Sequence, residues 1–149
     1  MTTTNAPAAT ATALPGRLVG GAAAGLAGGV VFGLLMQAMG MIPMVAALVA
    51  STSTAVGWLV HLAISAFIGA SFAVLLPRGV TGVAATTVAG LGYGIVWWVL
   101  GPLLLMPAKL GMPLFSFGKV TWQSLMGHMM FGLVLGVGYA LARTRTRRG

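Results

Sequence analysis

The sequence contains no aspartate, no glutamate and no cysteine among its 149 residues. Without carboxylates the chain has no carboxylate general acid or base, and it cannot build a Mg²⁺ or Ca²⁺ site on carboxylate side chains. Without cysteine it has no disulfide, no thiolate metal site and no cysteine nucleophile. The remaining serines, threonines, tyrosines, histidines and lysines form no recognisable activated nucleophile. We therefore expect a protein that is not an enzyme.

Apolar residues dominate what is present. Hydrophobic residues make up 58% of the chain and charged residues 5%, and the mean hydropathy is +1.02. These values are typical of membrane proteins. The heaviest apolar stretch covers residues 97–107 and is interrupted by Pro102. Such a stretch indicates the outer half of a membrane-spanning helix that ends at a proline.

Four apolar segments define the predicted fold, an all-α bundle of four transmembrane helices in a single domain over residues 17–142. Each segment has the roughly 20 residues that a spanning helix needs, and the four lie at 18–42, 57–76, 84–107 and 122–142. The Thr/Ala/Pro-rich residues 1–16 predict a disordered N-terminal tail. Residues 143–149 form a basic C-terminal tail.

Prolines are expected to interrupt two of these helices. Pro43 should end or kink the first span. Residues 44–50, which follow it, are too few to span again, so we expect them to lie at the interface or to re-enter the membrane. Pro102 is expected to kink the third span.

The basic residues follow the ends of the apolar segments. Arg17, Arg78 and the C-terminal arginines fall on one side of a four-span topology, whereas Lys109 and Lys119 fall on the other. The positive-inside rule then places both termini in the cytoplasm. Because the cations are spread over several segment ends, the pattern favours membrane topology over nucleic-acid binding.

Anchors are expected at both membrane surfaces. Trp58 and Trp122 begin the second and fourth spans, a position that suits aromatic residues at the headgroup level. Four arginines of the C-terminal tail should attract anionic lipid by about 1 kcal/mol for each charge near the surface. These are Arg143, Arg145, Arg147 and Arg148.

Glycines recur at a spacing that allows close helix packing. The first span has one every four residues, at Gly21, Gly25, Gly29 and Gly33. Two interpretations remain open: packing within one bundle, or contact with a second copy or another membrane protein. The third and fourth spans carry further packing positions, at Gly90, Gly94, Gly132 and Gly136. The glycines of the third span predict a close crossing with the first span.

Two alignments indicate an internal repeat. A shift of 67 residues superimposes the second span on the fourth and places His61 on His128. A shift of 64 superimposes the first span on the third and places Gly28 on Gly92. Each half would then be a helix hairpin, and the two hairpins would be parallel and related by an axis along the membrane normal.

Three blocks also carry a resemblance to a protein family. They are Gly-Trp-Leu-Val-His at 57–61, Tyr-Gly-Ile-Val-Trp-Trp at 93–98 with its continuation to Pro107, and Met-Gly-His at 126–128. In these blocks the chain after residue 16 resembles small four-span bacterial membrane proteins of unknown function, chiefly actinobacterial. The resemblance implies a four-span fold in the bacterial cytoplasmic membrane, and it implies no activity.

Two histidines are the main candidates for chemistry. His61 and His128 lie one to two turns into spans that start on the outer side, so both are expected in the outer leaflet. Gln37, Ser65 and Tyr93 are the polar residues expected near them. These five residues form the predicted polar site, because ionisable residues inside a membrane mark functional sites by default.

Several roles for the histidines remain open. Each imidazole could hydrogen-bond to a neighbouring helix. The pair could instead ligate a b-type haem, join Met129 in a copper(I) site, or relay protons along a narrow path. We expect no cofactor and a transport- or channel-like function, with a haem or copper protein as the first alternative. The second alternative is an accessory subunit that associates through its glycine faces.

Overall fold

The computed structural model describes residues 13–146, and the side chains of residues 14–144. Most of the predicted N-terminal tail therefore lies outside the described residues. The same holds for Arg147 and Arg148 and for the side chain of Arg145.

Residues 13–146 form helices and connecting turns and contain no strand. The helices are α1 (Ala13–Ala38), α2 (Ile42–Ala47), α3 (Thr54–Leu75), α4 (Val83–Trp98), a π-helical segment (Val99–Leu105), α5 (Met106–Leu110) and α6 (Lys119–Thr146). Four stretches are long and apolar enough to cross a membrane, at Leu14–Ala38, Thr54–Leu75, Val83–Leu110 and Lys119–Thr144. The prediction of an all-α chain with four such helices is confirmed.

The helix bounds differ from the predicted spans at several ends. Helix α1 begins at Ala13, inside the predicted tail, and it ends at Ala38 because Gly40 turns the chain with a φ of +69°. Helix α6 continues to Thr146, so Arg143 lies on a helix instead of in a separate tail. Hydropathy marks where a helix leaves the apolar layer, whereas its backbone hydrogen bonds continue beyond that point.

The residues after Pro43 form part of the short helix α2. Pro43 lies in the first turn of α2, where its missing N–H costs nothing. Ile42, Val45 and Ala46 are buried, and Ile42 packs where Gly57 leaves room near the start of α3. The segment expected at the interface is therefore packed against the bundle.

Pro102 interrupts the third span with a π-helical segment, Val99–Leu105. A proline inside a helix removes one N–H donor and displaces the preceding turn. A wider, π-helical turn can accommodate this displacement. Pro107 removes a second donor, and the carbonyl of Leu103, four residues earlier, accepts a hydrogen bond from the Phe115 N–H at 3.0 Å. The loop after α5 is thereby tied to the π-helical segment.

The closest helix pairs are α1 with α3 and α4 with α6, and α1 also packs on α6. A Cβ atom at Gly25 would overlap the Ser65 carbonyl and lie 2.8 Å from the Gly69 Cα. A Cβ atom at Gly90 would lie 2.9 Å from the Gly136 Cα. The expected crossing of the third span with the first was wrong, because the glycines of α4 pack against α6.

The two ends of the bundle differ in their cations. The Arg17 guanidinium donates to the carbonyls of Ala73 and Leu76, so the start of α1 and the end of α3 meet. Arg143 donates to the Val80 carbonyl at 2.9 Å, which brings the end of α6 to the same side. The loop from α5 to α6, with the two lysines, lies at the other end. We call these the arginine end and the lysine end.

Many large apolar side chains cover the outside of the helices. Val19, Leu59, Val88 and Leu75 are each at least two-thirds exposed. An apolar surface of this extent would drive aggregation in water, whereas hydrocarbon solvates it. The outer surface is thus consistent with the membrane-spanning length of the helices.

We expect Gly25→Leu to lower stability by about 1–3 kcal/mol or more, because the new side chain meets backbone atoms that cannot move aside. Thermal unfolding of the protein in detergent measures this change. Gly92→Leu is the matched control, since nothing lies within 4 Å of a Cβ atom at Gly92. Equal melting temperatures for the two variants would contradict the packing described for α1 and α3.

Candidate functional site

A cavity of about 920 Å³ lies in the lysine-end half of the bundle. Its wall is formed by α1, α2, α3, the end of α4, the π-helical segment, α5, the loop after it and α6. His61, Ser65 and His128 line its inner part, and Ile68 and Phe131 line it one turn further in. Ligand pockets have volumes of about 300–1,000 Å³, so this cavity is large enough for a sizeable small molecule.

The cavity does not continue to the arginine end. Phe72, Leu135 and Tyr139 are at most 2% exposed and fill the interior beyond the histidines. Phe72 and Tyr139 are in edge contact, with ring centroids 5.8 Å apart. The interior of residues 13–146 therefore consists of an open lysine-end half and a closely packed arginine-end half.

Both histidines are held by main-chain carbonyls. His61 Nε2 donates to the Gly29 carbonyl of α1 at 2.9 Å, and His128 Nδ1 donates to the Ser124 carbonyl at 2.8 Å. The Ser65 hydroxyl donates to the carbonyl of His61, one turn earlier, and makes no bond to the imidazole ring. The bonding partners expected from the sequence, Gln37, Ser65 and Tyr93, are thus replaced by backbone oxygens.

Each neutral imidazole keeps one nitrogen free to accept a hydrogen bond. For His128 this is Nε2, which faces the π-helical segment, since a Cβ atom at Gly101 would lie 3.9 Å from it. Phe32 of α1 touches both imidazoles, with ring centroids 5.5 Å from His61 and 4.7 Å from His128. The histidines are therefore parts of one aromatic cluster at the inner end of the cavity.

Gln37 and Tyr93 do not line the cavity. Gln37 is exposed, and its side-chain oxygen accepts a hydrogen bond from Trp58 Nε1 at 3.1 Å. The Tyr93 hydroxyl hydrogen-bonds to Ser71 at 2.9 Å, between α4 and α3. Of the five residues predicted to form the polar site, the cavity brings together His61, Ser65 and His128.

Methionines line the cavity, but Met129 is not among them. Met129 is 41% exposed on a different face of α6 from His128. The methionines that do line the cavity come from α1, the turn before α2, α2, α5 and the loop after α5, and they are Met36, Met41, Met44, Met106 and Met112. Their flexible thioether chains suit an apolar pocket that adapts to the shape of its ligand.

Trp97 carries an unmatched hydrogen-bond donor beside the cavity. It lines the wall, and its ring touches Phe67 and Tyr93, with centroids 6.2 Å from each. Its Nε1 is buried and has no hydrogen-bond partner within the part of the chain that the structure describes. Buried donors are almost always paired, so this indole is an exception among the described side chains.

The cavity opens sideways between α3 and the π-helical segment. Ile64, Phe67 and Leu105 line it and are 38%, 62% and 56% exposed. Closer to the arginine end, the Ser71–Tyr93 hydrogen bond joins α3 to α4. The opening therefore faces the surroundings of the helices, which for a membrane protein are lipid chains.

The two predicted tryptophan anchors differ in exposure, and the predicted packing glycines face helices of the same chain. Trp122 is 56% exposed and stacks on Trp98 with ring centroids 6.0 Å apart, whereas Trp58 packs where Gly33 leaves room. Gly21 and Gly29 likewise face α3. The glycine faces are occupied by helices of the same chain, which leaves little of them for a partner protein.

The geometry gives little support to a metal or haem site. Residues 13–146 contain no group of three or more His, Cys, Asp or Glu side chains that could hold a metal ion. His61 Nε2 is engaged by Gly29, and Phe32 contacts both imidazoles where a shared iron would need open space. His128 and Met129 lie on different faces of α6.

The sequence missed the cavity because a cavity arises from the relative placement of helices. A usable signal was present in residues 97–107, where two prolines interrupt heavy apolar residues. Prolines at membrane depth loosen a helix and free backbone groups, and such positions commonly border cavities. The same stretch begins with Trp97, which was not among the predicted site residues.

We expect the protein purified from its native membrane to show no Soret band and no stoichiometric copper, because neither histidine pairs with a second ligand in suitable geometry. An absorption spectrum and elemental analysis measure both. The His61→Ala variant, purified in parallel, is the control. A Soret band or copper content that disappears in this variant would show that the histidine is a ligand.

The chain matches no protein-family model, no curated protein and no solved structure.

Proposed function

We propose that this multi-pass membrane protein binds a small molecule with a large apolar part, taken up from the lipid through the opening between α3 and the π-helical segment. The observation that carries this proposal is the cavity of about 920 Å³ with its lateral opening at Ile64, Phe67 and Leu105. Binding or transfer of the ligand, without catalysis, is the proposed activity.

The lining supports binding of an apolar molecule more than conduction of ions or protons. Methionines, aromatic residues and aliphatic residues form most of the wall, and the polar groups His61, Ser65 and His128 stand at its inner part. A conducting path would need polar groups or water along its whole length. Leu135 and Tyr139, at most 1% exposed, leave no such path through the arginine-end half of the bundle.

Two side chains that line the cavity carry a polar atom with no described hydrogen-bond partner. His128, whose Nε2 is an acceptor, and Trp97, whose buried indole N–H is an unpaired donor, both line the cavity. Pockets for apolar molecules commonly combine an apolar wall with a few polar groups of this kind.

We further propose that the arginine end faces the cytoplasm of a bacterial cell and that the protein lies in the cytoplasmic membrane. Arg17, Arg78 and Arg143 belong to the arginine end, and the other three C-terminal arginines follow Arg143 in the sequence. Two lysines belong to the other end. This asymmetry supports the orientation through the positive-inside rule. The C-terminal arginines would then contact anionic lipid.

We also propose that the bundle is built from two parallel helix hairpins. Gly25 of α1 faces Ser65 and Gly69 of α3. Gly90 of α4 faces Gly132 and Gly136 of α6, which lie 67 positions after Ser65 and Gly69. Gly25 and Gly90 are themselves 65 positions apart, one more than the shift expected from the sequence. Matching contacts at nearly constant shifts support duplication of one hairpin.

Fluorescence quenching can test the proposed binding. We expect a brominated fatty-acid methyl ester in phosphatidylcholine nanodiscs to quench tryptophan saturably, and we expect Trp97→Phe to remove the saturable component. Gly101→Leu should weaken this component at least about tenfold, since a methylene-rich side chain would occupy the space beside His128. Gly92→Leu, on the outer surface of α4, is the control and should behave like the unaltered protein.

Quenching that rises linearly with ester content, and equally in the Gly101→Leu and Gly92→Leu variants, would refute a binding cavity. It would show that the brominated chains meet the tryptophans only from the surrounding bilayer.

A further inference from the structure

We infer that the ligand is an anionic amphiphile, with a carboxylate or phosphate head bound between Lys109 and Lys119 and an acyl chain in the cavity. This inference rests on the proposed function, since it names the chemical class of the molecule that the cavity binds.

The first observation is the position of the two lysines. Lys109 lies in the last turn of α5 and Lys119 in the first turn of α6, and both line the outer part of the cavity. Both residues are exposed. No hydrogen bond or ion pair engages either lysine among residues 13–146. Two ammonium groups without a described partner, at the opening of one cavity, attract an anion to that opening.

The second observation is that the chain cannot neutralise these lysines itself. It contains no aspartate or glutamate, so no carboxylate side chain competes for the ammonium groups. Here the counter-charge has to come from outside the chain, either from solvent ions or from the head group of a bound molecule.

The third observation is the order of chemical groups along the cavity. The lysines and the polar residues Ser116 and Thr121 line it at the lysine end, and Trp97, at the end of α4, lines it closer to the arginine end. The lateral opening at Phe67 and Leu105 reaches the same space. An amphiphile in the outer leaflet has the same order, with its charge at the surface and its chain below, so it can enter sideways without turning over.

The inner end suits the end of an acyl chain. Phe32 packs between α3, which carries His61, and α6, which carries His128. The three rings form a compact aromatic cluster. Ile68 and Phe131 complete this end of the cavity. Aromatic and aliphatic surfaces of this kind contact hydrocarbon well through dispersion.

The test compares charged and neutral forms of one brominated chain by Trp97 quenching in phosphatidylcholine nanodiscs. The probes are brominated stearic acid, at a pH where its carboxyl group is ionised, its methyl ester, and a lysophosphatidic acid with the same chain. We expect both anions to bind at least about tenfold more tightly than the ester at low salt, because two cations attract the head group at the membrane surface. Added salt should reduce this preference.

The Lys109→Gln/Lys119→Gln double variant should bind the anions about as weakly as the ester, with the affinity for the ester unchanged. Arg78→Gln is the matched control, since it removes an exposed cation at the opposite end of the bundle. A preference for one anion alone, lost in the double variant, identifies whether the head is a carboxylate or a phosphate and supports the inference.

Two outcomes separate this inference from the proposed function. Equal, saturable binding of acid and ester would overturn the anionic head and leave the cavity as a site for neutral molecules. An anion preference that persists in the double variant would also overturn it. Absence of any saturable Trp97-dependent quenching, by all three probes, would refute the binding cavity itself.

Discussion

Close backbone contact between paired helices is the constraint on which the rest of the structure depends. Gly25 and Gly69 bring α1 against α3, and Gly90 and Gly136 bring α4 against α6, at distances that no side chain permits. In lipid no hydrophobic effect holds helices together, so this contact supplies much of their association. Because α3 and α4 have no such contact in the lysine-end half, the space between them stays open.

The interruption of the third span gives that open space its shape. Pro102 widens the helix into a π-helical turn, and Pro107 frees a carbonyl that the Phe115 N–H then binds. The loop that leads to α6 is thus fastened to the wall of the cavity. A main-chain hydrogen bond links the loop that leads to Lys119, the first residue of α6, to the π-helical segment in the cavity wall.

The sequence predicted the elements well and their arrangement only in part. Hydropathy and segment length identified four helices of spanning length, because these properties depend on local composition. The partner of Gly90 was mispredicted, since a small-xxx-small pattern shows that a helix face packs closely without showing against which helix. Gln37 and Tyr93 were expected beside the histidines, but sequence depth alone does not tell which way a side chain points.

The arginines at the cytoplasm-facing end of the proposed orientation bind main-chain carbonyls instead of carboxylates. Arg17 holds the end of α3, and Arg143 holds the connection at Val80 while lying 5.8 Å from the centre of the Tyr139 ring. Acid unfolds many proteins by protonating carboxylates that are paired in the native state, near about pH 4. These arginines contact amide oxygens and no carboxylate, so protonation of carboxylates in acid does not remove their contacts at the helix ends.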